Sequence, residues 1–149
     1  MLGFEPLCRI QAQVGTLLSL GDAPVGERRV VPILGGTVTG AVSGTIVPGG
    51  ADWQLRRADG VLEIAAHYAI RADDGGLVEV VSEGYRHGPP DVMARLAAGE
   101  DVPPEAYFFR TAIRFRTGAA AHAELNRTLA FATARRGPDH VLLDVFRLL

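Results

Sequence analysis

Five ionisable residues are spaced so that they could act together: Asp52, His67, Glu83, Arg110 and Arg114. Asp59-Gly60 and the run Asp73-Asp74-Gly75-Gly76 are hairpin turn signals. They bracket Val61–Arg71, in which Leu62, Ile64, Ala66, Tyr68 and Ile70 alternate with Glu63, His67 and Arg71. A two-residue turn at Asp59-Gly60 sets Asp52 opposite His67 and Arg56 opposite Glu63. A loop over Asp74–Gly76 sets His67 opposite Glu83 and Arg71 opposite Glu79. In that register each face keeps one character, which is what fixes register in a half-buried sheet. Opposite charges also face each other, worth about 0.2–1 kcal/mol per pair. An imidazole between two carboxylates is a proton-transfer centre, because a neighbouring carboxylate raises its pKa and selects its tautomer. In Tyr107–Arg116, Arg110, Arg114 and Arg116 share one face while Phe109, Ile113 and Phe115 share the other. Guanidinium forks suit a carboxylate or an enolate oxygen.

This constellation works only if its face looks inward. The competing arrangement turns the five residues to solvent and fills the interior with Leu62, Ile64, Tyr68, Ile70 and Phe109. Trp53, the single tryptophan, follows Pro48-Gly49-Gly50-Ala51-Asp52 and is read either as the wall of a ligand pocket or as a core plug. Tyr68 and Tyr107 are the other aromatic residues assigned to a ligand wall.

The elements that must carry these side chains are strands. Eighteen glycines and nine prolines divide the chain into short runs rich in β-branched and aromatic residues. Strands are predicted at Leu7–Thr16, Arg28–Ile33, Gly36–Ile46, Asp52–Arg57, Val61–Arg71, Leu77–Tyr85, Tyr107–Arg116, Thr128–Arg135 and His140–Arg147. Asp91–Ala98 reads as one short helix inside a proline-rich loop over Gly88–Pro104, and Ala119–Arg127 as an alanine-rich turn. The prediction is an all-β chain, one domain over residues 1–149, folded as a single closed antiparallel β-barrel, since closure removes exposed sheet edges.

Composition narrows the chemistry further. All 15 basic residues are arginine, so Schiff-base lysines and a P-loop lysine are ruled out. A net charge of −2 leaves no electrostatic footprint for nucleic acid or anionic membrane. The single cysteine, Cys8, cannot form an internal disulfide, and it lies far in sequence from any histidine that could activate it. His67, His87, His122 and His140 lack ligand spacing, so neither a metal nor another cofactor is expected. The Gly35-Gly36, Gly40 and Gly44 series lacks nucleotide-loop spacing, and Gly40-Ala41-Val42-Ser43-Gly44 is not a nucleophile elbow. With no long apolar run and no signal-like N-terminus, the expected setting is cytoplasmic, without a membrane. The small apolar-rich chain and the frequency of two-fold assemblies suggest a homodimer.

Several stretches together carry a likeness to a known family: Val31-Pro32-Ile33-Leu34-Gly35-Gly36, Gly40, Gly44, Val47-Pro48-Gly49-Gly50-Ala51-Asp52-Trp53-Gln54, Arg57, Asp59-Gly60, Ala66–Tyr68, Asp74-Gly75, Tyr107-Phe108-Phe109-Arg110-Thr111, Phe115 and Leu125-Asn126-Arg127. The sequence resembles the Domain of Unknown Function 3237 family of bacterial and fungal proteins over nearly its whole length. The resemblance implies a closed antiparallel barrel, broadly like lipocalins or allene oxide cyclase. His67 stands where arginine is more common in that family, so the resemblance carries a cationic group at this position rather than an imidazole.

Two functions follow from these readings. One is a cofactor-free isomerase or cyclase for a small, mostly apolar substrate, with Asp52, His67 and Glu83 moving protons and Arg110 and Arg114 holding developing negative charge. The alternative is a lipocalin-like module that binds a small-molecule ligand without catalysis. A filled barrel working through its surface is the third possibility.

Overall fold

Alternating side chains and frequent glycines make strands of this chain, and the pairing of the first strand with two others makes them a barrel. The computed structural model describes residues 1–149. Its strands are β1 (Phe4–Val14), β2 (Leu18–Ala23), β3 (Gly26–Gly40), β4 (Gly44–Arg56), β5 (Leu62–Ala72), β6 (Leu77–His87), β7 (Phe108–Thr117), β8 (Ala130–Arg136) and β9 (His140–Leu148). They lie antiparallel in the order β1-β9-β8-β7-β6-β5-β4-β3, and β1 also pairs with β3, which closes an eight-stranded barrel. β2 is an extra strand along β3. One helix, α1 (Pro90–Ala97), and the 3-10 segment Ala120–Arg127 cover opposite ends. No helix is long and apolar enough to cross a membrane.

The expected Arg28–Ile33 and Gly36–Ile46 strands are differently divided. β3 runs through Leu34-Gly35-Gly36, and the reversal comes at Ala41–Ser43. β2 escaped prediction because its residues are almost all exposed and show no buried alternation.

The interior has two halves. At the end closed by the 3-10 segment, Val38, Ile70, Val78, Val80, Ile113 and Val145 are at most 2% exposed and pack solidly with Phe115 and Leu125. Toward the end covered by α1 the lining turns polar, with Arg29, Gln54, Ser82, Arg86 and Thr111 all buried. Cys8 belongs to the packed interior, where burial pushes its thiol up to about 12 and leaves it a poor nucleophile.

Barrel curvature brings backbones close at several glycines, Gly36 and Gly84 among them. Gly36 has φ +141°, and a Cβ there would strike the Gln11 carbonyl oxygen of β1. Gly84 pairs with Thr111, and a Cβ there would land on the Arg110 carbonyl oxygen. Gly84→Ala therefore forces β6 and β7 apart. The expected loss is roughly 2–3 kcal/mol, to be read as a lowered denaturant midpoint; an unchanged midpoint would contradict the close approach.

Candidate functional site

The predicted turn geometry failed at one residue, and the error moved the site. The Arg57 N–H donates to the Val61 carbonyl, so the β4–β5 turn holds three residues, not two. Asp52 consequently pairs with Ala66, and His67 with Ala51. Asp52 and His67 thus point to opposite faces of the sheet, which corrects the expected shared face. In β5–β6 the loop is Asp73–Gly75, closed by the Ala72 N–H on the Gly76 carbonyl, so His67 pairs with Val81 rather than Glu83.

The structure does not bring the five residues together. His67 lies on the outer wall with its side chain 62% exposed and its Nε2 2.7 Å from Glu79 Oε2. Glu83, Arg110 and Arg114 are exposed on the same outer wall. Arg110 donates to the Phe109 carbonyl (2.9 Å) and stacks on Phe108. Trp53 is also outside, with the Arg28 guanidinium over its ring, so it is neither core plug nor lumen wall. Leu62, Ile64, Tyr68, Ile70 and Phe109 fill the interior, as in the competing arrangement. Of the ionisable set only Asp52 faces inward, and of the expected ligand wall Tyr68 and Tyr107 are buried.

Around Asp52 the lumen holds a charged cluster that the sequence reading missed. The cross-strand pairs Val31–Asp52 and Arg29–Gln54 put β3 and β4 side chains on one inner surface. Arg29 donates through Nε (3.2 Å) and Nη2 (2.9 Å) to Gln54 Oε1. Gln54 Nε2 in turn donates to Asp52 Oδ2 at 2.7 Å. Between the pairs Asp52–Ala66 and Leu55–Glu63, the Ala65 N–H donates to Asp52 Oδ1 at 2.9 Å. Arg86 comes from β6 and Arg136 from the end of β8. Tyr107 accepts the Arg136 N–H on its hydroxyl (2.9 Å), which anchors the loop after α1 to the rim.

Arg29, Asp52, Gln54, Arg86 and Arg136 line a mouth cavity of about 290 Å³ with Val14, Leu17, Phe109 and Val141, under Leu96 and Ala97 of α1; Tyr107 is not part of that lining. Asp52 is the one acidic residue in that lining, against the guanidiniums of Arg29, Arg86 and Arg136. Below it, Asp52, Ser82, Thr111 and Tyr68 border a smaller space of about 50 Å³. The Tyr68 and Thr111 hydroxyls are buried there without hydrogen-bond partners. Burial raises the Tyr68 pKa, so its hydroxyl stays a donor.

Burial also sets the electrostatics of the mouth. Desolvation raises the Asp52 pKa above the usual carboxylate value, against the opposing pull of its Gln54 and Ala65 hydrogen bonds and of Arg86 and Arg29. Arg86 is pushed down to about 10, first by burial and then by repulsion from Arg136 and Arg29. Burial is also the leading cause of the lowered values of Arg29 and Arg136. Titratable groups displaced together in a cavity are a recurrent mark of functional sites. The largest concavity, about 690 Å³, is elsewhere, on the outer wall among Phe4, Phe108, Phe131 and Phe146. Its charged residues, Glu83 and Arg110, are open to solvent, so the displaced groups mark the mouth as the chemical site.

The architecture is that of closed antiparallel barrels whose interior is apolar at one end and basic at the other. Within that class the family is identified by sequence: residues 2–148 match the model described as Protein of unknown function (DUF3237), and the chain belongs to that family. A UPF0311 protein of Bradyrhizobium diazoefficiens is 39% identical over 140 residues, covering 94% of this chain and 92% of that protein. A conserved protein of unknown function from Rhodopseudomonas palustris superposes with a TM-score of 0.95 at 39% identity, over 100% of this chain and 98% of the other. A beta-barrel like protein of Acinetobacter baumannii gives 0.88 at 34% identity, over 100% and 97%. An enzyme from Penicillium herquei shares the fold with a TM-score of 0.75 at 20% identity, over 99% and 95%.

Proposed function

We propose that the barrel is a cofactor-free isomerase or cyclase that moves a proton on a small, mostly apolar substrate in the mouth cavity. The observation that carries this reading is a lone inward-facing, half-buried carboxylate, Asp52, oriented by Gln54 and the Ala65 N–H, beside three guanidiniums it does not neutralise. In the proposed step the Asp52 carboxylate accepts a proton from a carbon next to a carbonyl. The C–H electron pair becomes a C=C bond, the carbonyl π pair moves to its oxygen, and the arginine cluster stabilises the resulting enolate. With a β,γ-unsaturated substrate the enolate is a dienolate, and return of the proton from Asp52 to its far carbon completes an isomerisation; attack of the enolate carbon on a second carbonyl of the substrate, whose π pair takes the proton from Asp52, completes a ring closure. A raised carboxyl pKa makes the Asp52 carboxylate a stronger base than that of an exposed aspartate. That the same fold houses a protein described as an enzyme in Penicillium herquei supports a catalytic use of the barrel.

The test is deuterium uptake from deuterium oxide at the enolisable carbons of 2-indanone and phenylpyruvate, followed by NMR. Wild-type protein is expected to exchange at least one of them faster than buffer. Exchange of both at the buffer rate would remove the proton-transfer reading and leave the non-catalytic ligand-binding module.

For the assembly we propose a two-fold dimer through the outer groove around Phe4, Phe108 and Phe131. Exposed aromatic residues cluster there beside Glu83 and Arg110, so a two-fold axis would bring opposite charges together as well as apolar faces. Sedimentation should give a dimer for the wild type and a monomer for Phe131→Glu; a wild-type monomer at micromolar concentration would refute it.

A further inference from the structure

Arg86 differs from the other two mouth arginines. Arg29 spends Nε and Nη2 on Gln54, and Arg136 gives Nη1 to the Gly137 carbonyl (2.6 Å). Arg86 is only 7% exposed, yet its Nε has no hydrogen-bond partner. The Phe109 ring lies 5.4 Å from its guanidinium carbon, giving the cation an aromatic face but no acceptor. A buried donor left open is costly in a folded protein, and a cation more so. Such a group is expected where a ligand supplies the acceptor.

The surroundings say what kind of acceptor. A single open fork suits two coplanar oxygens, the geometry of a carboxylate, better than a phosphate, which takes donors from several sides. Apart from the three arginines, Asp52 and Gln54, the cavity wall is apolar (Val14, Leu17, Val31, Phe109 and Val141 under Leu96 and Ala97), and at about 290 Å³ the cavity is at the small end of ligand sites. Arg29 and Arg86 also border a second groove of about 410 Å³ between α1 and the β4–β5 turn, where Arg56 adds a positive charge and Asp59 is the one acidic residue. A positive approach of this kind raises the encounter rate of anions.

We propose that the substrate is a compact, largely apolar monocarboxylate whose carboxylate is received by Arg86. This rests on the proton-transfer reading for where the substrate sits, and adds which part of it the protein holds.

The experiment is calorimetric titration of the wild-type protein near neutral pH with sodium benzoate, with its neutral isostere benzamide and with inorganic phosphate. Benzoate is expected to bind at least tenfold more tightly than benzamide and to be undisturbed by equimolar phosphate. Arg86→Gln, checked by circular dichroism, should bring benzoate down to the level of benzamide. The three wild-type titrations decide the carboxylate preference even if that variant does not fold, and Arg86→Met, which removes the same donors, is then the second variant that tests the contact with Arg86. Equal affinity for benzoate and benzamide, tighter binding of phosphate, or an unchanged benzoate affinity in folded Arg86→Gln would each overturn the proposal. Benzoate selectivity without deuterium exchange removes the proton-transfer reading alone; exchange without benzoate selectivity removes the carboxylate assignment alone.

Discussion

Asp52→Asn is expected to lower the rate of deuterium exchange by about 10²–10⁴, the usual contribution of a positioned general base. Asparagine keeps the size of the side chain and an oxygen for the Ala65 N–H, so the barrel should still close. Benzoate binding should survive, because removing the only carboxylate of the lining leaves the three guanidiniums in place. The pH dependence carries a second signature. Asp52 must be ionised to accept a proton, and burial places its pKa above the ordinary value of 3.8. The acid limb of the wild-type rate should therefore fall at a pH above that of an exposed aspartate. Gln54, the Ala65 N–H, Arg29 and Arg86 all face this carboxylate and pull the other way, so loss of Arg86 should move the limb still higher. An Asp52→Asn protein that exchanges at the wild-type rate would take Asp52 out of the chemistry.

Arg86→Met is expected to make the protein more stable while it abolishes carboxylate binding. The sign follows from the depressed pKa of about 10 against an ordinary 12.5. A cation whose folded-state pKa is lowered destabilises the fold wherever it is protonated in both states, so the penalty is fully present below about pH 10 and fades as pH rises toward the unfolded value. At neutral pH an apolar side chain of similar length beside Phe109 removes that penalty. Exchanges of buried charge for apolar packing gain about 1–4 kcal/mol where they succeed. For a chain of this size each kcal/mol corresponds to about 2–4 °C in Tm. A structural arginine would behave in the opposite way, and a lowered Tm for Arg86→Met would identify it as one. A gain in stability joined to a loss of binding is the pattern of a site kept at the expense of the fold.

The barrel was legible in the sequence because its evidence is local: turn glycines, alternation in Val61–Arg71 and Tyr107–Arg116, and one short helix now seen at Pro90–Ala97. The site was not, because it depends on parity. A turn of two residues rather than three reverses which side of β4 faces in, and the predicted turn at Asp59-Gly60 left out Ala58, which belongs to it. Asp52 survived that error only as a residue; its partners did not. Arg86 could have been found. The inward row Val78, Val80, Ser82, Gly84, Arg86 of β6 runs from apolar to charged, and its first members are fully buried. Arg29 likewise precedes Val31 and Ile33 on one face of β3. Arg136 also continues the inward row Ala130, Ala132, Ala134 of β8, one residue beyond the predicted strand end at Arg135.

The two halves of the interior also separate what may change from what may not. Substitutions far apart with no shared partners add nearly independently. The close-packed end around Ile70, Val78 and Ile113 supplies cohesion that the charged rim does not share. Exchanges at Arg29, Gln54, Arg86 and Arg136 are therefore expected to leave the aliphatic layers around Ile70, Val78 and Ile113 in place. A scan of substitutions along the barrel axis should show a gradient of tolerance, low among the aliphatic layers and high at the rim. Such a frame can acquire new ligands by rewriting a handful of positions at one opening, with the other end acting as ballast.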